Sequence, residues 1–190
     1  MKKRTALFIL MSISALFFFK TETTFAITVD VTGLCFSPNG GCTRLVVSRI
    51  NQAARSIKVM SYSFTSAPIS KALVRARNRG VDVQIVMDRD EAERQSYEVR
   101  ALLEGGVPLY ADTEAGIFHD KVMIIDGNTV ITGSMNWTKA GEHLNAENLI
   151  VLKSKGLAAY YIKNFQLHEA NSARLKEQPS RSKEWFFKKW

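Results

Sequence analysis

The chain has 190 residues, of which 46% are hydrophobic and 23% are charged, and its formal net charge is +8. This length permits one ordinary globular core. The sequence contains no internal repeat, low-complexity tract or linker, which excludes a repeat array and predicts a single domain.

Residues 1–26 are predicted to form a secretory signal peptide. Three basic residues near the start precede a 14-residue apolar run at 6–19, and "TFA" ends at Ala26 with small residues at the cleavage positions. The run is too short for a comfortable membrane span, although an uncleaved anchor is the alternative. We therefore predict export to the periplasm or the medium. Without this segment the chain has 22 basic and 17 acidic residues, and this excess suits a phosphate-bearing partner.

Cys35 and Cys42 bracket the turn-rich stretch "FSPNGG". In an oxidising compartment the two thiols are expected to form a disulfide that closes a short loop, and two buried free thiols are the alternative. Two cysteines with no histidine nearby do not make a zinc site.

Strand and helix patterns alternate along the rest of the chain. Periodic apolar residues, an early Pro68 and a terminal Gly80 mark helices, and short apolar runs mark strands. In chain order we predict a helix at 42–56, strand 57–64, helix 65–80, strand 81–88, helix 91–103, strand 107–112, hairpin 118–134, strand 148–154 and helix 156–175. This order predicts an α/β fold in which helices cover both faces of a mixed sheet.

The predicted hairpin, "FHDKVMIIDGNTVITGS", carries unusual polar residues. His119 and Lys121 are two residues apart, so along a strand they point the same way. "DGN" predicts the turn, and the return strand brings Ser134 and Asn136 towards the same end. An imidazole, a cation and two neutral donors together suit attack on a phosphate. Taken singly, the histidine would be a satisfied core residue and the lysine a snorkelling one.

The combined spacing resembles a known signature. His119-x-Lys121-x4-Asp126-x6-Gly133-Ser134-x-Asn136 matches the HKD motif of the phospholipase D superfamily. Further blocks, including "YSFTS", "TGSMNWTKA" and "NAENLIVL", resemble the small bacterial Nuc-type endonucleases of that superfamily. The resemblance runs from about residue 35 to residue 167.

The resemblance implies a role for each matching residue. His119 would be the nucleophile that forms a phosphohistidine, Lys121 and Asn136 would hold the phosphate, and Ser134 would donate a hydroxyl. Glu147 would hold the other ring nitrogen of the histidine, with a solvent-facing glutamate as the alternative. Asp126 belongs to the signature and is grouped with the catalytic residues, although its turn position suggests a structural role.

The signature occurs once, whereas the superfamily's chemistry uses two copies, so the resemblance implies a homodimer with one shared site. A covalent histidine needs no metal-activated water, and we predict no metal and no other cofactor. "DRDEAE" at 88–93 resembles a carboxylate metal cluster, but it is better explained as a helix N-terminus. His143 and His168 are interpreted as structural.

The predicted boundaries are a signal peptide at 1–26, a phospholipase D-like catalytic domain at 27–177 and a basic, aromatic tail at 178–190. The tail would stack on bases, touch a membrane surface or dock on the dimer partner. The leading function is an exported, metal-independent phosphodiesterase that hydrolyses DNA without sequence specificity, with RNA as a further candidate substrate. The alternatives are a phospholipase D acting on phospholipid head groups and a non-catalytic nucleic-acid-binding component of DNA uptake.

Overall fold

A computed structural model describes residues 26–114 and 116–176 of the chain. The predicted signal peptide, apart from Ala26, and the predicted tail at 178–190 lie outside the described residues.

Eight strands and six helices make up the described residues. The strands are β1 (Asp30–Ser37), β2 (Ser56–Ser61), β3 (Asp82–Met87), β4 (Leu109–Asp112), β5 (Lys121–Ile125), β6 (Thr129–Gly133), β7 (Glu147–Lys153) and β8 (Ser172–Arg174). The helices are α1 (Cys42–Gln52), α2 (Ala67–Asn78), α3 (Arg89–Arg94), α4 (Tyr97–Glu104), α5 (Lys139–His143) and α6 (Lys155–Ala170).

The strands form one mixed sheet in the order β1-β7-β6-β5-β2-β3-β4-β8. The pairs β2–β3 and β3–β4 are parallel, and every other neighbouring pair is antiparallel. Parallel neighbours need crossover connections, which α2 and the α3–α4 pair provide. The antiparallel hairpin β5–β6 therefore joins a parallel half of the sheet to an antiparallel half.

Both faces of the sheet are covered by helices. On β2, Val59 belongs to the larger core, which contains residues of α1, α2 and α4. The next residue, Met60, points to the opposite face and packs with Phe165 of α6. Alternation along the strand thus divides the interior into two cores. The predicted α/β sandwich is confirmed.

Local structure differs from the predictions in four places. The single helix predicted at 91–103 is two helices, because Gln95 adopts left-handed backbone angles and the Ser96 side chain caps α4. The last helix ends at Ala170, and β8 then adds an edge strand. The sequence patterns missed β1, whose alternation is interrupted by a β-bulge near Gly33, and the one-turn helix α5.

The acidic stretch at 88–93 begins a helix, as predicted. The Asp88 carboxylate accepts hydrogen bonds from the backbone N–H groups of Asp90 and Glu91, and it caps α3. These carboxylates are therefore explained by local helix structure.

Cys35 near the end of β1 and Cys42 at the start of α1 form a disulfide, with 2.13 Å between the sulfur atoms. Glu142 strengthens the same junction, because its carboxylate accepts hydrogen bonds from the N–H groups of Gly41 and Thr43 at the N-terminus of α1.

Among residues 26–114 and 116–176, none of the helices has both the length and the apolar character needed to cross a bilayer.

Candidate active site

All of the predicted active-site residues except Asp126 lie at one edge of the sheet, where several strands begin or end. Lys121 is the first residue of β5 and pairs with Ser61, the last residue of β2. Gly133 ends β6, and Glu147 begins β7. The motif is therefore assembled from three antiparallel strands that reverse direction at this edge.

His119 lies just outside β5 and not within it, which corrects the prediction of a continuous strand from residue 118. Its side chain is exposed. The backbone N–H of Tyr62 donates to the carbonyl of Asp120 at 3.0 Å, and the rings of Tyr62 and His119 lie 4.8 Å apart at 57°. The imidazole is thus accessible to a substrate and is supported by an aromatic ring.

Lys121 is buried, with only 7% of its surface exposed. Its ammonium donates to the carbonyl of His119 at 2.6 Å and lies 5.1 Å from the centre of the Tyr62 ring. Burial lowers the pKa of Lys121, and the negative charges of Asp120 and Glu147 oppose that shift. A cation with so little water around it interacts strongly with an incoming anion.

The segment that follows β6 contributes a hydroxyl and an amide. The Ser134 hydroxyl is held by Asn148, whose backbone N–H and side-chain amide donate to it at 3.1 and 3.3 Å. The Oδ1 atom of Asn136 is buried without a hydrogen-bond partner within the described residues. A buried polar atom of this kind commonly marks a place where a bound group or water completes the hydrogen bonding.

Two neighbours explain the backbone path of this segment. Gly133 has φ +154°, and a Cβ atom there would lie 2.2 Å from the carbonyl oxygen of Asn148, so only glycine allows β6 to run this close to β7. Trp137 is fully buried, and its indole N–H donates to the carbonyl of Met60 at 3.4 Å. These contacts fix the backbone on both sides of Asn136.

Glu147 lies at the same edge, where Asn145 donates to its carboxylate at 3.1 Å. Its charge acts on Lys121 and raises the pKa of that lysine. The hydrogen bond expected between Glu147 and the ring of His119 stays a prediction.

Asp126 lies apart from the other predicted catalytic residues. It follows the last residue of β5, at the opposite end of the strand from Lys121. Its carboxylate accepts hydrogen bonds from the N–H groups of Ala54, Arg55 and Ser56. Burial favours the protonated carboxyl, but these bonds and the Arg55 charge outweigh it and lower the pKa of Asp126. The signature's aspartate therefore joins the hairpin turn to the start of β2.

Tyr62 was missed by sequence reasoning, although it stands in the quoted "YSFTS" block. His119 and Lys121 lie 57 and 59 positions after Tyr62 in the chain, and the pairing of β2 with β5 brings them beside it. The only available signal was an aromatic residue at the end of a predicted strand.

The two remaining histidines lie elsewhere. His143 is exposed and its Nδ1 is 2.8 Å from the side-chain oxygen of Asn39. His168 contacts Asp112 and Glu114, and within the described part of the chain this is the one group of side chains with the spacing of metal ligands. The site around His119 contains an imidazole, a cation, a hydroxyl and an amide, which are the groups needed for covalent catalysis on a phosphate ester.

Comparison with known proteins gives three consistent matches. Residues 46–168 match the family described as "Cardiolipin synthase, PLD-like domain". The chain is 37% identical to a phospholipase D of Rickettsia felis over 138 residues, which cover 73% of this chain and 69% of the relative. It is also similar to the crystal structure of Nuc, a phospholipase D family member from Salmonella typhimurium. That match has a TM-score of 0.74 and 39% identity, and it covers 78% of this chain and 99% of the other.

Proposed function

Because this chain belongs to the phospholipase D superfamily and is a phosphodiesterase of the hydrolase class, we propose that it is an exported endonuclease. In this proposal it hydrolyses DNA, and also RNA, without sequence specificity. The reaction proceeds through a phosphohistidine at a site shared by two copies of the chain.

The observation that carries the proposal is the pairing of an exposed His119 with a buried Lys121. The imidazole attacks phosphorus, a P–N bond forms, and the P–O bond to the leaving group breaks. The His119 of a second copy donates a proton to the leaving oxygen and then takes one from the water that hydrolyses the phosphohistidine. Lys121 stabilises the charge on the phosphoryl oxygens throughout, because its ammonium is largely removed from water.

Asn136 and Ser134 complete the phosphate site in this proposal. The side-chain NH₂ group of Asn136 would donate to a phosphoryl oxygen, and a water held by the bound phosphate would donate to the unpartnered Oδ1. Ser134 is exposed and already oriented by Asn148, so its hydroxyl can donate to a phosphoryl oxygen without further ordering.

Nucleic acid is the preferred substrate for two reasons. The chain without residues 1–26 has a net charge of +5, which favours a polyanion. Its sequence blocks "YSFTS", "TGSMNWTKA" and "NAENLIVL" also resemble those of Nuc-type endonucleases. Because the four site side chains would contact the phosphate and none would contact a base edge, cleavage should be independent of nucleotide sequence.

A second copy is supported by the single signature and by an exposed apolar strip on the edge strand. Val31, Leu34 and Phe36 are 56–61% exposed. Strand pairing through β7 to β6 shows that all three side chains are on the same face of the sheet as the core beneath α6. The strip ends beside Asn148, which is paired with Phe36 and binds Ser134. A twofold contact on this strip would bury it and bring two sites together.

The reaction would require no metal, because the nucleophile comes from the protein itself and Lys121 supplies the positive charge. Export is supported by the signal-like residues 1–26 and by the disulfide between Cys35 and Cys42. Exported protein should begin at Ile27 and have no alkylatable thiol. N-terminal sequencing and mass measurement after alkylation without reductant test both points.

The decisive experiment uses the purified chain without residues 1–26, in EDTA, with four substrates: plasmid DNA, single-stranded DNA, RNA and phosphatidylcholine vesicles. We expect cleavage of the nucleic acids, a loss of at least about 10³-fold in His119→Asn, and full activity in His143→Asn. Vesicle hydrolysis without nucleic-acid cleavage would indicate a phospholipase D instead of a nuclease, and phospholipase D is the name of the Rickettsia felis relative. DNA binding without cleavage of any substrate would indicate the non-catalytic alternative.

A further inference from the structure

We propose that Asp112, Glu114 and His168 form a binding site for a divalent transition-metal ion, Zn²⁺ in the first instance, outside the reaction centre. The three residues come from the end of β4, the segment that follows it and the last turn of α6. One ligand atom from each residue lies within 4.8 Å of the other two.

The distances suit a small ion. His168 Nδ1 is 2.6 Å from Asp112 Oδ2 and 3.9 Å from Glu114 Oε2. Zinc bonds of 2.0–2.2 Å in tetrahedral geometry separate ligand atoms by roughly 3–3.5 Å, so small side-chain movements suffice. The short contact between His168 and Asp112 is a hydrogen bond in the ion-free protein, and the ion would take the place of its proton.

Outer hydrogen bonds orient the carboxylates towards this point. The second oxygen of Asp112 accepts from the backbone N–H of Glu114 at 2.7 Å. The second oxygen of Glu114 accepts from the side chain of Asn171 at 2.9 Å. Each carboxylate therefore has one oxygen held by a protein donor and the other directed at His168. Such support of the ligands by neighbouring groups is characteristic of metal sites.

The donor set favours zinc over calcium or magnesium. One imidazole nitrogen and two carboxylate oxygens match zinc, whereas Ca²⁺ and Mg²⁺ prefer oxygen ligands alone. Asp112 is 5% exposed, whereas Glu114 lies at the surface, so an ion could enter the site from solvent. With three protein ligands, the fourth coordination position of the ion would be taken by water. The two carboxylates would balance the charge of the ion.

A metal here would stabilise the segment that carries the nucleophile. The rings of His168 and Phe118 pack edge to face, with 4.8 Å between centroids, and Phe118 immediately precedes His119. An ion bound by Glu114, Asp112 and His168 would join this segment to β4 and α6. Its role would be structural, so it is compatible with catalysis that needs no metal.

The test is calorimetric titration of the chain without residues 1–26, freed of metal by EDTA and dialysis, with ZnCl₂ in the absence of substrate. We expect one Zn²⁺ per chain, at least about ten-fold weaker binding in Glu114→Gln and His168→Gln, and unchanged binding in His143→Gln and His119→Asn. Because Glu114 is exposed, its variant should fold normally. Binding of Ca²⁺ or Mg²⁺ should be much weaker.

Thermal unfolding provides a second readout. At a hundred-fold excess of Zn²⁺ over Kd, the midpoint of the wild-type protein should rise by about 5–10 °C, and that of Glu114→Gln should not. Absence of Zn²⁺ binding in the wild type would overturn the proposal. So would binding that Glu114→Gln leaves intact or that His143→Gln or His119→Asn abolishes. Because no substrate is present, these outcomes are independent of the proposed nuclease activity.

Discussion

The phenol ring of Tyr62 packs against the imidazole of His119, with 4.8 Å between ring centroids and 57° between ring planes. The same ring lies 5.1 Å from the ammonium of Lys121. One aromatic side chain at the end of β2 therefore contacts both residues of the pair.

Replacing this ring should lower activity without changing the fold. A cation–π contact and a ring–ring contact are together worth about 1–2 kcal/mol, so we expect Tyr62→Leu to lower kcat/KM by about ten-fold. Tyr62→Phe keeps the ring and should remain within about two-fold of wild type. Tyr97→Leu, at a residue that is 72% exposed, is the control. Equal losses in Tyr62→Phe and Tyr62→Leu would instead assign the effect to the hydroxyl group.

The pH dependence of phosphate binding should report the burial of Lys121. Because burial lowers its pKa, binding of a phosphodiester by His119→Asn, which lacks the general acid, should weaken along an alkaline limb below the ordinary lysine value of 10.5. The charge of Asp120 raises that pKa, so Asp120→Asn should move the limb to lower pH. Asp90→Asn, which removes an exposed carboxylate paired with Arg89, should leave it unchanged. A limb that moved to higher pH in Asp120→Asn would contradict the assignment to Lys121.

Asp126 should matter for stability and not for catalysis. Asp126→Asn keeps one acceptor oxygen but loses the negative charge of the carboxylate to which three backbone N–H groups donate. Since the carboxylate is partly exposed, we expect a loss of about 1 kcal/mol in the free energy of unfolding at pH 7, with kcat unchanged at 25 °C.

The pH dependence of that loss has a definite sign. The folded pKa of Asp126 lies below its ordinary value of 3.8. Its contribution is therefore complete above about pH 4 and disappears as the pH falls through the folded pKa. Urea unfolding at pH 7 and at about pH 3 measures this. Asp82→Asn, which removes an exposed ion pair with Lys58, should cost less than about 0.5 kcal/mol at either pH. A lower kcat in Asp126→Asn would instead show that Asp126 contributes to catalysis.

Mixed dimers test the shared site. Wild-type and His119→Asn chains are mixed, subunits exchange at random, and activity is measured against the wild-type fraction. If each reaction needs a histidine from both copies, an equal mixture should retain about one quarter of the activity, because only wild-type pairs turn over. Independent sites would leave about one half. A fully active monomer in sedimentation would also refute the shared site.

Much of the fold and part of the site could be predicted from the amino-acid sequence alone. The order of apolar runs and helix signals predicted a mixed sheet between two helical layers, because side-chain periodicity reports local structure directly. The spacing of His119, Lys121 and Asn136 identified the family. The position of Asp126 in a turn indicated its structural role, since turn residues hydrogen-bond their own neighbourhood.

Other features depend on contacts between distant segments and become visible only in the folded chain. The pairing of β2 with β5 places Tyr62 beside His119 and Lys121. The approach of β6 to β7 explains why residue 133 must be glycine. The packing of α6 across β4 brings His168 to Asp112, 56 residues earlier. None of these relationships leaves a periodic signal, because each depends on strand register and helix packing and not on the local preferences of the residues involved.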